Sequence, residues 1–146
     1  LLIVATVAIA APAAAATHCL DVDARRGWQY LELPDSFMID WYFDADWTVD
    51  ARSYPPVGVE GHRGADATAL EPYAGFKLVR SLPFGRLLYT DGDIVADYAA
   101  LDEELEAAAR VGRPLDAARL GFRINDADAA LADNAGKATV CFQSFD

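Results

Sequence analysis

Leu120-Gly121-Phe122-Arg123-Ile124-Asn125-Asp126-Ala127-Asp128-Ala129-Ala130-Leu131-Ala132-Asp133-Asn134-Ala135-Gly136-Lys137-Ala138-Thr139-Val140-Cys141-Phe142 reads as a strand, a short loop and a second strand. Leu120, Phe122 and Ile124 alternate onto one face, as do Ala138, Val140 and Phe142, which is the period of a half-buried strand. Thr139, Cys141 and Gln143 fall on the opposite, less apolar face. Two oxygen-rich pairs, Asn125-Asp126 and Asp133-Asn134, stand at the two mouths of the loop. Such residues cap turns with their own side chains. They also suit a hard cation, since calcium takes six to eight oxygen ligands from carboxylates, amides, carbonyls and water. Composition alone leaves both readings open.

Working outward, Phe37-Met38-Ile39-Asp40-Trp41-Tyr42-Phe43 is β-rich. Alternation places Phe37, Ile39, Trp41 and Phe43 on one face. Asp44-Ala45-Asp46 separates this run from Trp47-Thr48-Val49. Arg52 to Asp66, with two adjacent prolines and several glycines, reads as a long loop. Arg86-Leu87-Leu88-Tyr89 is a short strand ended by Asp91-Gly92-Asp93. One segment differs: from Tyr98 to Arg110, the apolar residues Tyr98, Leu101, Leu105 and Ala108 recur at helical spacing. Asp97 caps its start, and Gly112 with Pro114 stops it.

The run Leu120 to Asp126, followed by Leu131-Ala132-Asp133-Asn134-Ala135-Gly136-Lys137-Ala138-Thr139-Val140, resembles the carboxy-terminal motif of the PA-IL-like family of galactophilic lectins. Trp47-Thr48-Val49-Asp50 with Tyr54-Pro55-Pro56-Val57-Gly58-Val59-Glu60-Gly61-His62 is similar to that family's strand end and its loop leading to a histidine. Pro83-Phe84-Gly85-Arg86-Leu87-Leu88 is a third, weaker match, and the resemblance covers Gly27 to Phe142. It implies a mainly β, jelly-roll, galactose-binding-like β-sandwich into which the helix is inserted before the penultimate strand. It implies calcium held by the side chains of Asp126, Asp133 and Asn134, with backbone carbonyls near Ala130 and Asp50. It further implies a sugar bound on the calcium beside Asp126, Ala127 and Asp133, with His62 orienting a hydroxyl. Ala65 departs from the family's glutamine and removes one sugar contact.

The chain has 146 residues, which is the length of a single domain. A net charge of −11 repels phosphate backbones, so nucleic acid is not an expected partner. Leu1 to Ala16 contains only Ala, Val, Ile, Leu, Thr and Pro. It reads either as a signal peptide ending in a small-residue cleavage region or as a retained membrane anchor. Residues 17–146 form the lectin-like domain, and either reading exports it to the periplasm or the cell exterior. Export permits a disulfide between the two cysteines, Cys19 and Cys141, if the first and last strands are neighbours.

No nucleophile elbow, zinc-protease helix, phosphate loop or dinucleotide fingerprint occurs. The acid pairs Asp44/Asp46 and Asp91/Asp93 flank turns. A non-catalytic protein is therefore expected. Two functions remain: an exported calcium-dependent carbohydrate-binding module, or a structural accessory subunit anchored by Leu1–Ala16 to a membrane protein assembly.

Overall fold

The computed structural model describes residues 8–10 and 14–145. Its strands are β1 (Ala15–Asp23), β2 (Gln29–Glu32), β3 (Met38–Thr48), β4 (Leu87–Thr90), β5 (Val95–Asp97), β6 (Arg119–Ile124) and β7 (Ala135–Phe145). They form two antiparallel sheets, ordered β1-β7-β3 and β2-β6-β4-β5. Helices α1 (Gly64–Leu70) and α2 (Tyr98–Val111) and two 3-10 helices (Glu71–Phe76 and Asp128–Asp133) complete the described chain.

The sheets face one another across a core supplied by alternate residues of each. Ala138, Val140 and Phe142 of β7 meet Leu120, Phe122 and Ile124 of β6 within one buried cluster. The Phe122 and Phe142 ring centroids are 6.2 Å apart. The molecule is thus a mainly β protein of sandwich type. Burial of large side chains, each contributing about 1.5–3 kcal/mol, supplies its driving force.

Strand β3 departs from the expected alternation. A register shift between Met38 and Asp40 turns Met38 into the core and leaves Phe37 and Ile39 exposed. Beyond the shift, Trp41, Phe43 and Ala45 are half-buried and Trp47 is fully buried. Asp44-Ala45-Asp46 therefore lies inside the strand rather than separating two, with Asp44 and Asp46 exposed. On a sheet edge, outward carboxylates also discourage pairing with a foreign strand.

The loop expected over Arg52–Asp66 ends sooner, because α1 starts at Gly64. Its middle is fixed by bridges pairing Trp47 with Val57 and Glu60 with Arg86. Helix α2 has the expected caps. Asp97 accepts from the Ala100 N–H at 3.2 Å, and Gly112 adopts φ 63°, a left-handed conformation that glycine adopts without strain. Leu101, Leu105 and Ala108 are buried. Trp41 Nε1 donates to Asp102 at 2.7 Å and Tyr98 packs on Phe43, so α2 joins the β3 edge of one sheet to β4 and β5 of the other.

Ala15 and Ala16 open β1, so the first strand begins within the alanine-rich stretch. Residues 1–7 and 11–13 of the apolar segment lie outside the described residues. Among the described residues, no helix is long and apolar enough to cross a membrane. Strand β1 pairs along its length with β7, and Cys19 lies directly opposite Cys141. The two are joined by a disulfide, with Cα atoms 4.2 Å apart.

Gly136 carries a comparable constraint at the start of β7. It has φ 88°, and a Cβ there would fall 2.1 Å from the Asp46 carbonyl oxygen. Gly136→Ala is expected to destabilise the domain by more than about 1 kcal/mol, read as a lowered denaturant midpoint. Replacing both cysteines by serine should cost about 4 kcal/mol in the same measurement, since the bridge closes a long loop. An unchanged midpoint in either variant would contradict these assignments.

Candidate functional site

Strand β6 ends at Ile124 and delivers Asn125 and Asp126 into the interior. The two side chains do different work. Asn125 ties down the preceding loop: its Nδ2 donates to the carbonyls of Val79, Leu82 and Pro83, and its Oδ1 accepts from the Val79 N–H at 2.9 Å. Asp126 is only 2% exposed, and its carboxylate accepts one bond, from the Ala127 N–H at 3.0 Å. Arg123, itself buried, braces the turn by donating to the Asp126 carbonyl at 2.7 Å and pairing with Asp128 at 2.8 Å.

The other mouth of the loop supplies Asp133 and Asn134. Asn134 is 3% exposed, and its Nδ2 donates to the Ala24 carbonyl at 2.9 Å. That bond fixes which way the amide faces. Its Oδ1 is left buried without a hydrogen-bond partner. Leaving such an acceptor unpaired costs about 1–3 kcal/mol, so it calls for a missing donor or cation. Burial pushes the Asp126 carboxyl up to about 7, and the Asp133 charge adds to the rise. The neighbouring Asn134 amide, the Ala127 N–H and Arg123 oppose it.

Two adjoining hollows meet here. The first, of about 330 Å³, is lined by Val49, Asp50, Ser53, Tyr54, Leu70, Tyr73, Phe76, Phe84, Asp126, Ala130 and Asp133. The second shares Asp50, Ser53 and Asp133 with it and adds Asn134. The structure thus brings together Asp50, Asp126, Ala130, Asp133 and Asn134. Among the described residues, no group of three or more His, Cys, Asp and Glu side chains is arranged to hold a metal ion. A cation here would need amide and main-chain oxygens besides carboxylates, which is ordinary for calcium. The orphaned Asn134 acceptor and the buried Asp126 carboxylate fit that need.

Three expected roles change. The Asp50 carbonyl already accepts from the Ser53 and Tyr54 N–H groups, at 3.2 and 3.0 Å, so it is not a spare ligand. The Asp50 carboxylate likewise accepts from the Arg52 and Ser53 N–H groups. The Ser53 hydroxyl first, against the opposing effect of burial, and then those N–H groups hold its pKa below the usual carboxylate value. His62 is 1% exposed and outside the cavity wall, so direct contact with a sugar does not fit its position. Its Nε2 instead faces Thr48 and the Val49 N–H, and Tyr54 packs edge-on at 5.6 Å. Burial lowers its pKa, with Asp66 opposing, and its Nδ1 has no partner. Ala127 is also outside the wall, with its N–H donating to the Phe76 carbonyl.

Sequence reading missed the aromatic wall. Tyr54 lies in the proline-rich loop, while Tyr73 and Phe76 belong to the 3-10 helix that follows α1. The spacing of Tyr73 and Phe76, three residues apart, was the available signal: at 3-10 pitch it puts both on one side.

Because burial raises the folded pKa of Asp126 above its unfolded value, folding favours the neutral acid. That contribution is present below about pH 4 and lost as pH rises to about 7. In chelator, the wild-type melting temperature should therefore fall between about pH 4 and 7. Asp126→Asn should flatten that fall and abolish any response to calcium. A wild-type profile as flat as the variant's would contradict the burial of this carboxyl.

No family model matches this chain, and the searches of curated proteins and of solved structures likewise found no match.

Proposed function

We propose that this domain is a calcium-binding, carbohydrate-binding module built on a galactose-lectin-like jelly roll, acting by recognition rather than catalysis. The observation that carries the reading is the orphaned Asn134 Oδ1 beside the buried Asp126 carboxylate. Asp126, Asp133 and Asn134 are the side-chain ligands, and the carbonyl near Ala130 completes the protein's share. Two carboxylates balance the charge of a divalent ion. Bound there, calcium would offer coordination positions to neighbouring sugar hydroxyls.

The chain's own groups do the rest. Tyr54, Tyr73 and Phe76 line the cavity with aromatic side chains, a residue type suited to the C–H face of a sugar ring. Ser53 and the carboxylate of Asp133 are placed to bond hydroxyls. His62 acts from beneath, holding Tyr54 and the Thr48–Val49 backbone in place. A cavity with apolar walls and a few convergent polar groups is the usual form of a small-ligand site.

A second reading draws on another part of the surface. Phe37, Ile39 and Phe145 are exposed at the end of the sheet where Ala15 enters β1 opposite Phe145. That patch suits a structural accessory subunit anchored through Leu1–Ala16 in a membrane protein assembly. Both readings place the domain in the periplasm or outside the cell, where the Cys19–Cys141 bridge is stable.

Thermal melting separates them. Calcium at a hundredfold excess over its dissociation constant should stabilise the domain by about 2.7 kcal/mol, and galactose should raise the melting temperature further. A calcium shift without a sugar shift would favour the anchored subunit. No calcium shift would sink the metal site.

A further inference from the structure

Among the described residues, Asp126 is the one aspartate or glutamate that is buried, and it takes part in no ion pair there. Arg123 is spent on the Asp126 main-chain carbonyl and on the Asp128 carboxylate. The Asp126 carboxylate accepts one hydrogen bond, from the Ala127 N–H at 3.0 Å, whereas an ionised carboxylate has about four acceptor sites. A buried carboxylate with so few partners is costly to ionise unless a cation meets it.

The surroundings narrow the kind of cation. Asp126 lines the first hollow, of about 330 Å³, together with Asp50 and Asp133, and among the described residues no lysine, arginine or histidine lines it. The ammonium of Lys77 lies over the Phe84 ring, 5.4 Å from its centre, and is not part of the wall. Three carboxylates repel an anion. Tyr54, Tyr73 and Phe76 line the same hollow, and Tyr73 and Phe76 are exposed, so an apolar ligand body has aromatic side chains to cover. Aromatic side chains also attract cations. We infer that this cavity binds a small organic amine in its ammonium form, the ammonium donating to the Asp126 carboxylate and the apolar body packing against Tyr54, Tyr73 and Phe76. The inference goes beyond the calcium–carbohydrate reading and does not rest on it. An ammonium ion brings its own donors and needs a single carboxylate. A metal ion needs a converging set of ligands, and among the described residues no three His, Cys, Asp and Glu side chains are arranged to hold one. A calcium ion would call on the same carboxylate, so the two cations compete for it.

The test is an NMR titration of the protein in chelator at about pH 8, where Asp126 is largely ionised and an alkylamine is still a cation. Benzylamine, benzyl alcohol and benzoate offer the same ring with a positive, a neutral and a negative group. Benzylamine should bind at least about tenfold more tightly than benzyl alcohol, the equivalent of one charge-assisted bond, and benzoate should not bind. Asp126→Asn, with its fold checked by the amide spectrum, should reduce the amine to the affinity of the alcohol. Tyr73→Ala, at an exposed side chain, should weaken amine and alcohol together. Alcohol binding as tightly as amine, a preference that survives Asp126→Asn, or no binding of the amine would overturn the inference. The wild-type comparison decides it even where the asparagine variant fails to fold. Calcium and galactose, titrated into separate samples, test the proposed function. Their binding without amine binding would overturn this inference alone. Amine binding without calcium binding would leave the inference standing and sink the metal site.

Discussion

Backbone pairing along β7 fixes one mouth of the candidate site's loop. Its neighbours, β1 and β3, bond to it along both edges. A strand held on both sides cannot slip by one residue without moving its whole apolar set from core to solvent. Asn134 immediately precedes it, so the same register places that side chain. Ala24, at the end of β1, closes the arrangement: its N–H donates to the Gly136 carbonyl at 3.1 Å and its carbonyl takes the Asn134 amide. Midway along the β1–β7 ladder, the Cys19–Cys141 bridge locks the register covalently.

That rigidity explains how so much polarity is kept in the interior beside the loop. Arg123, Asn125, Asp126, Asn134 and His62 are all buried. Arg123 and Asn125 are spent on main-chain carbonyls, which is the usual fate of buried polar groups. Among the described residues, two buried side-chain atoms are left without partners, His62 Nδ1 and Asn134 Oδ1. A fold that satisfies its polar groups elsewhere and leaves an acceptor beside a buried carboxyl departs from local consistency where function is to be sought.

Much of this was legible from pattern. Helix α2 announced itself through apolar spacing and two caps, because those signals are local and the chain obeys them locally. Alternation placed Leu120, Phe122 and Ile124 and then Ala138, Val140 and Phe142 in the core correctly, although β6 is buried on its other face as well, by Gly121 and Arg123. The failures have physical causes. Strand β1 hides in an alanine-rich start because it gains order from β7, not from its own propensity. The phase error at Phe37 and Ile39 comes from a bulge, which adds one residue to one strand and is invisible to a period-two count. At the site, the loop's acidic and amide residues were readable, but their division of labour was not. Asn125 and Asn134 are alike in sequence. Only the tertiary fold gives one of them four main-chain partners and leaves the other an open acceptor. His62 was expected to orient a sugar hydroxyl, and sequence could not show that Tyr54 and the 48–49 backbone enclose it.

In the proposed function, Asp126 is a buried carboxyl whose charge a bound cation would stabilise. The carboxyl carbon resonance of Asp126, followed by NMR through a pH titration with and without calcium, tests it most directly. A midpoint near 7 is expected in chelator, far above an ordinary aspartate, and an ionised group throughout the same range once calcium is present. Identical titrations in the two conditions, or an ordinary midpoint in chelator, would contradict it.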